Sequence, residues 1–244
     1  MNGLQSLYRR ELAAYFCTPL AYLFLVIFLM LSAAFGFWFG GFFERNQADL
    51  VPFFVFHPWL YLILAPALSM RLWAEERHTG SIELLLTLPI STGTAVLAKF
   101  LAAWTFIGLA LVLTFPLWLT VNYLGHPDNG AIVAAYLGSF VLAGSYLAIG
   151  SALSANTRSQ VIAFISTVSV CLLLLLAGQP LVLDVCHAWL PLPLVDAISA
   201  LSLLSHFHAI QKGVLDLRDL IYFALTIVAW LWVTTTVIDH QQAD

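Results

Sequence analysis

Residues 129–157 read NGAIVAAYLGSFVLAGSYLAIGSALSANT, 29 consecutive positions without a charged side chain. A helix needs about 20 mostly apolar residues to cross the hydrocarbon layer of a bilayer, so this stretch is long enough to span one. Five further runs of at least 19 residues contain no Asp, Glu, Lys or Arg: 12–43, 50–70, 100–127, 159–183 and 220–238. Together they predict six membrane-spanning helices, at about 20–43, 51–71, 97–123, 131–153, 160–178 and 220–238.

The composition supports the same fold class. Of the 244 residues 61% are hydrophobic and 9% are charged, whereas about a quarter of the residues are charged in ordinary soluble domains. This excludes a soluble globular enzyme and a disordered chain. The net charge of −4 also argues against nucleic-acid binding, which calls for a basic face. We therefore predict an all-α, polytopic membrane protein with a single transmembrane domain over residues 1–244.

The residues before the first predicted span have their own helical pattern. Within 4–16 the apolar positions fall on one face, which predicts a short amphipathic helix over 1–18 lying in the membrane interface. The alternative is a frayed start of the first span. Six spans place both termini on the same side of the membrane. Of the Lys and Arg residues, six fall on that side and three on the opposite side. By the positive-inside rule we expect both termini to be cytoplasmic.

One predicted cytoplasmic segment is rich in charged residues. Residues 71–99 contain six of the charged residues of the chain, mixed with apolar side chains. A charge run is often only a solvated loop, but a mixture of charged and exposed apolar residues is typical of a docking surface for a soluble partner. The charged residues are Arg71, Glu75, Glu76, Arg77, Glu83 and Lys99, and the apolar ones include Leu72, Trp73 and Ile82.

The order of residues here resembles a family signature. From Glu76 to Ser91 the chain reads ERHTGSIELLLTLPIS, and Lys99 opens the next span; this is similar to the signature of ABC-2 type transporter permeases. The resemblance implies a type V exporter-like permease fold in which residues 72–95, the coupling segment, dock into an ATP-binding subunit. It implies coupling roles for Trp73, Glu75, Glu76, Arg77, Gly80 and Glu83. On this basis charge reversal at Glu76 and Arg77 is expected to uncouple the ATPase without unfolding the membrane part.

A second segment, residues 179–219, is predicted on the extracytoplasmic side as a re-entrant or interfacial piece; we call it the outer segment. Before the last span it is similar to a subgroup that includes gliding-motility-type and nitrous-oxide-reductase copper-maturation-type permeases. The residues that match that pattern are His206, Phe207, Gly213, Asp216 and Asp219, whereas His208 stands where many members have an acidic residue. A metal site built from His206, His208, Asp184 and His187 is the alternative to histidines hydrogen-bonded to the backbone, which we favour, so no metal is predicted.

These features lead to a functional prediction. The chain has no P-loop motif, and the predicted spans carry no central charged residue of the kind that ion-coupled transporters use. Energy should therefore come from a partner. We predict a non-enzymatic permease subunit of an ATP-driven exporter without a cofactor of its own, with ATP and Mg bound by two ATP-binding subunits. A second permease copy is a further expected partner, and the resemblance to gliding-motility-type permeases implies an auxiliary membrane protein with a periplasmic domain. A non-transporting anchor for an ATPase is one alternative. An intramembrane hydrolase is the other, although no histidine obviously pairs with the in-span Ser139 or Ser145.

Overall fold

The computed structural model describes residues 3–42, 44–45, 47–86, 90–189 and 191–243. Within these ranges the chain forms helices, turns and irregular links, with no strand. The helices are α1 Gly3–Cys17, α2 Pro19–Ala34, α3 Val51–Val55, α4 His57–Ser69, α5 Arg71–Thr79, α6 Ser81–Leu86, α7 Thr92–Val112, α8 Phe115–Leu124, α9 Asn129–Ala155, α10 Gln160–Leu176, α11 Pro180–Trp189, α12 Leu192–Ala200, α13 Leu203–Gln211 and α14 Leu217–Ala243. A π-helical turn, Phe35–Phe39, continues α2. The all-α prediction is confirmed for these residues.

Four helical stretches in the described part of the chain are long and apolar enough to cross a membrane. They coincide with the predicted first, third, fourth and sixth spans. The stretches are Ala21–Phe39, Thr92–Leu124, which is interrupted between α7 and α8, Asn129–Ala155 and Leu217–Gln241. The predicted fifth span corresponds to α10, an apolar helix of 17 residues.

The predicted second span, 51–71, is divided in the structure. Helix α3 ends at Val55, and α4 begins at His57 with Pro58 in its first turn. Proline has no N–H to donate and is favoured in the first turn of a helix, so a new helix begins where Pro58 stands. Two shorter helices in succession therefore replace the one continuous helix that the sequence predicts.

The outer segment is also helical. It contains α11, α12 and α13, and the axes of α12 and α13 differ by 60°. Together these two helices are apolar enough to form a broken span or a re-entrant loop; the re-entrant or interfacial placement of residues 179–219 stays a prediction.

Helix α9 forms the centre of the molecule. It packs against α4, α5, α7, α10, α13 and α14. Glycine allows a close approach to α4, because a Cβ atom added at Gly150 would overlap with Ser69 Oγ of α4. Small residues let membrane helices approach in this way. The position of α9 matters for the site described below, since the C-terminal end of this helix supports the coupling segment.

The N-terminal helix α1, predicted over 1–18, lies along α7. Leu7 is buried, Tyr15 stacks on Phe106 with the ring centroids 5.3 Å apart, and the Tyr8 hydroxyl donates to Thr105 Oγ1 at 3.1 Å. Its apolar face thus packs on the first half of α7, while Arg9 is exposed.

Candidate functional site

One buried lysine joins three elements of the fold. Lys99, near the start of α7, is 3% exposed. Its Nζ atom lies 3.0 Å from Glu11 Oε2 of α1 and 2.7 Å from Glu76 Oε1 of α5. The same ammonium group stands 5.5 Å from the centroid of the Trp73 ring, a distance at which a cation is attracted to an aromatic face. Lys99 therefore ties the coupling segment to both the N-terminal helix α1 and helix α7.

The electrostatics at Glu11 reflect this arrangement. Burial alone would raise the pKa of the Glu11 carboxyl, but the opposing effects of the Lys99 and Arg10 cations prevail, so its pKa is lowered. Arg10 Nη2 contributes an ion pair at 2.7 Å to the second carboxylate oxygen. An opposite charge at this distance favours the ionised acid. Glu11 thus carries a negative charge beside Lys99 at neutral pH.

Helix α5 is held to the end of α9 by two serines. The first backbone N–H groups of a helix have no partner within it, and here the Trp73 and Ala74 N–H groups donate to Ser154 Oγ at 3.2 and 3.0 Å. Ser154 Oγ in turn donates to the Met70 carbonyl oxygen at 2.9 Å. The fully buried Trp73 ring donates from Nε1 to Ser151 Oγ at 3.1 Å. Sequence reasoning missed both serines; their only local signal is their i, i+3 spacing on one helix face.

The three charged residues predicted at the ATPase contact all have partners inside the chain. Glu75 accepts two hydrogen bonds from Arg71, at 2.7 and 3.0 Å. Glu76 pairs with Lys99. The Arg77 guanidinium donates to the Ala155 carbonyl at the C-terminal end of α9, where a cation is favoured by the helix dipole.

These partners change one expectation from the sequence. Reversing the charge of Glu76 would place a second cation against the buried Lys99, and like charges in a buried site are strongly unfavourable. We therefore no longer expect the double reversal at Glu76 and Arg77 to leave the membrane part folded. The coupling roles of both residues stay predictions.

The turn between α5 and α6 is an exposed part of the coupling segment. His78, Thr79 and Gly80 are exposed at this turn and Glu83 in the first turn of α6, whereas Trp73 is buried. Gly80 ends α5 with φ 73° and ψ 3°, the left-handed conformation that glycine adopts at helix C-termini. The predicted pattern continues to Pro89, but 87–89 and the side chains of 84–86 lie outside the described residues.

Gly80→Val is expected to distort this turn at a cost of about 1–2 kcal/mol, since a β-branched residue is disfavoured at positive φ. Apart from Gly80 and its two chain neighbours, no atom of the described residues lies within 4 Å of the position that a Cβ atom would take, so the backbone conformation sets the cost. Gly80→Asn is the matched control, because asparagine tolerates this conformation. Thermal melting and affinity for the ATP-binding subunit should both fall for valine and stay near wild type for asparagine; equal values for the two variants would contradict the turn.

In the outer segment His206 joins α13 to α14. Its Nδ1 lies 2.6 Å from Asp219 Oδ1, and its Nε2 lies 3.1 Å from the Ala200 carbonyl oxygen. The ring stacks on Tyr222 with centroids 4.0 Å apart, and the Tyr222 hydroxyl donates to the Leu201 carbonyl at 2.6 Å. Phe207 is fully buried. These residues hold the bent helix pair against the start of the last span.

The remaining residues of this pattern shape the turn before α14. Gly213 has φ 86°, and a Cβ atom there would lie 2.9 Å from Ala131 Cβ. Asp216 accepts from the Arg218 N–H at 3.0 Å, and its carbonyl accepts from the Asp219 N–H at 3.1 Å. Both residues therefore have a local structural role. Gly213 permits the turn beside α9, and Asp216 accepts the hydrogen bonds at the N-terminal end of α14.

His208 is bound to a neighbour on its own helix. Its Nδ1 lies 2.6 Å from Gln211 Nε2. In the described part of the chain no group of three or more His, Cys, Asp and Glu side chains is placed to hold a metal ion. The side chain of His187, which the metal alternative includes, is outside that part.

A buried polar bridge between α4 and α9 was also missed by sequence reasoning. Ser139 Oγ lies 3.0 Å from His57 Nδ1 and 2.9 Å from the Tyr61 hydroxyl, and all three side chains have 0% exposure. From the sequence no histidine was paired with the in-span serines of the hydrolase alternative. The structure corrects this for Ser139, which lies beside His57. However, Phe53 and Phe54 pack edge-on against His57, with ring centroids 4.5 and 5.0 Å away. A substrate cannot reach this serine, so the bridge serves packing.

The sequence is similar to those of known proteins in two comparisons. Residues 42–238 match the sequence profile of a family described as "ABC-2 family transporter protein". A stretch of 70 residues is 41% identical to "Heme exporter protein B" of Rhodobacter capsulatus. This stretch is 28% of the present chain and 32% of that relative, so the chain spans about a third of the relative's length.

Proposed function

Since this chain belongs to the ABC-2 family of transporter proteins, an integral membrane family, we propose that it is the permease subunit of an ATP-driven exporter. In this proposal two permease copies form the pathway, and two separate ATP-binding subunits, which bind ATP and Mg, dock beneath them. The chain itself carries out no chemical reaction. An auxiliary membrane protein with a periplasmic domain completes the assembly.

The observation that carries the proposal is the attachment of the coupling segment. Its exposed turn, with His78, Gly80 and Glu83, extends from a helix that is fixed to α9 by Ser154 and to α7 and α1 by Lys99. A displacement of that turn by a docked ATPase would therefore be passed to two long apolar helices at once. A solvated loop would not need these buried attachments.

The proposal includes a topology. The four long apolar stretches, α10 and the divided α3–α4 unit make six spans, with α12 and α13 as a re-entrant piece on the outer side. Both termini then face the cytoplasm of a bacterial inner membrane, and α1 lies in its cytoplasmic interface. Closure of the ATP-binding subunits shifts an inward–outward equilibrium through their differential affinity for the two states.

The first experiment is co-purification in detergent with the ATPase encoded beside this gene, read as particle mass and ATP turnover. We expect a stable complex of two permeases and two ATPases whose turnover exceeds that of the free ATPase. A permease that purifies alone, with no effect on turnover, would overturn the proposal.

A non-transporting anchor is distinguished by a second readout. Turnover that responds to one member of a panel of candidate cargoes supports transport. Because of the partial likeness to a protein named for heme export, heme belongs in that panel beside lipids. A complex that forms but ignores every cargo, with the pathway closed in all nucleotide states, would favour the anchor instead.

A further inference from the structure

The four-residue link between α9 and α10 lies beside the coupling segment. Helix α9 ends at Ala155, α10 begins at Gln160, and Arg158 between them is exposed. Because Arg77 of α5 donates to the Ala155 carbonyl, the two arginines belong to neighbouring points of one surface. We call them the arginine pair.

Arg158 lies three positions after Ala155, the residue whose carbonyl oxygen accepts from Arg77. Burial lowers the pKa of Arg77, and the positive charge of Arg158 lowers it further. In the described ranges no carboxylate forms an ion pair with either arginine. The guanidinium group of Arg77 already interacts with the partial negative charge at the C-terminal end of α9. Arg158 is therefore not required for this interaction. The arginine pair therefore places positive charge beside the exposed turn at His78.

We propose that the arginine pair is a second contact with the ATP-binding subunit and receives a carboxylate-bearing segment of that subunit. This inference rests on the proposed function and adds the chemistry of the partner surface. The partner is favoured over anionic lipid because the pair is continuous with the coupling turn, and Arg77 is fixed to α9. A contact at this link would also act directly on the central helix of the bundle.

The test is Arg158→Glu in the full permease, with the dissociation constant for the ATP-binding subunit measured at low and at physiological ionic strength. We expect about tenfold weaker binding at low ionic strength and a flatter salt dependence, since charged contacts determine both. Arg218→Glu is the matched control, because it reverses an exposed arginine on the other side of the proposed topology. It should bind like the wild type.

A photo-crosslinker at position 158 supplies a readout that does not depend on affinity. We expect it to capture a peptide of the ATP-binding subunit that contains Asp or Glu. If the wild type binds the ATPase but Arg158→Glu binds within about twofold of it with the same salt slope, or if the crosslinker captures only lipid or a second permease copy, this inference is wrong and the proposed function stands. If the wild type binds no ATPase, both fail.

Discussion

Replacing Lys99 with methionine is expected to lower the free energy of unfolding by about 3–5 kcal/mol, because removal of one partner leaves buried charges uncompensated. The carboxylates of Glu11 and Glu76 would then face each other beside a side chain that is now apolar; both are less than a fifth exposed. For a chain of this size the melting temperature should fall by roughly 6–20 °C. Thermal melting of the purified permease in detergent measures the change.

The effect of Lys99→Met should depend on pH in a defined direction. The pKa of Glu11 is lowered below its ordinary value of 4.5 in the folded protein. Its ion pairs therefore stabilise the wild type above pH 4.5, and this contribution is lost as the pH falls through the lowered pKa. The gap in stability between wild type and variant should be largest at neutral pH and should narrow as the pH falls, because the uncompensated carboxylates of the variant become protonated first and the ion pairs of the wild type are lost afterwards.

Two further variants distinguish the effect of the buried charges on stability from the effect of replacing a lysine side chain by methionine. The triple variant Glu11→Gln, Glu76→Gln, Lys99→Met has no buried charge left at this point, so it should recover at least half of the lost stability. Lys212→Met is the matched control, since Lys212 is exposed and substitutions at such positions usually change stability by less than about 0.5 kcal/mol. If Lys99→Met melts like Lys212→Met, the three helices are not joined through this ammonium group.

Local sequence patterns were sufficient for several parts of the fold. Residues 129–157 had to be a helix in any apolar environment, because the bilayer offers the backbone no other partner. The turn at Gly80 was also foreseeable, since glycine after a helix with Arg and His in its last turn is a common helix end. The division of the second predicted span into two helices was harder to predict from the sequence, because a proline within an apolar run is compatible with a kink or with the start of a new helix.

The contacts that define the site could not be predicted because they join distant parts of the chain. The motif included Lys99, but its pairing with Glu11 depends on how α1 lies along α7, and 88 positions separate the two residues. Ser154 caps a helix that begins more than 80 positions earlier. His57 and Ser139 likewise meet only when α4 packs on α9. Periodicity gives the face of a helix, but it does not give the neighbour or the register against that neighbour.

Trp73→Ala is the second change with a large expected effect, a loss of about 3–5 kcal/mol, which is typical of truncating a buried tryptophan. The ring is fully buried between the coupling segment and α9, and its Nε1–H group donates to Ser151 Oγ. Its removal leaves a cavity under Lys99 and removes the side-chain attachment of α5 to α9, while the backbone N–H groups at positions 73 and 74 still donate to Ser154. We expect a lower melting temperature together with weaker stimulation of the ATPase, measured on the same preparation.

Trp73→Phe shows which property of the ring matters. Phenylalanine keeps most of the packing but loses the N–H donor and part of the ring volume, so the cost should exceed that of one hydrogen bond, about 1 kcal/mol, and stay below that of Trp73→Ala. Trp232→Ala is the matched control for the loss of an indole, because Trp232 is 67% exposed and its removal leaves no cavity. The expected order of stability is Trp232→Ala, then Trp73→Phe, then Trp73→Ala. A Trp73→Ala variant as stable as Trp73→Phe would mean that the ring does not fix α5 to α9, and transmission from the coupling turn would then depend on Lys99 and Ser154 alone.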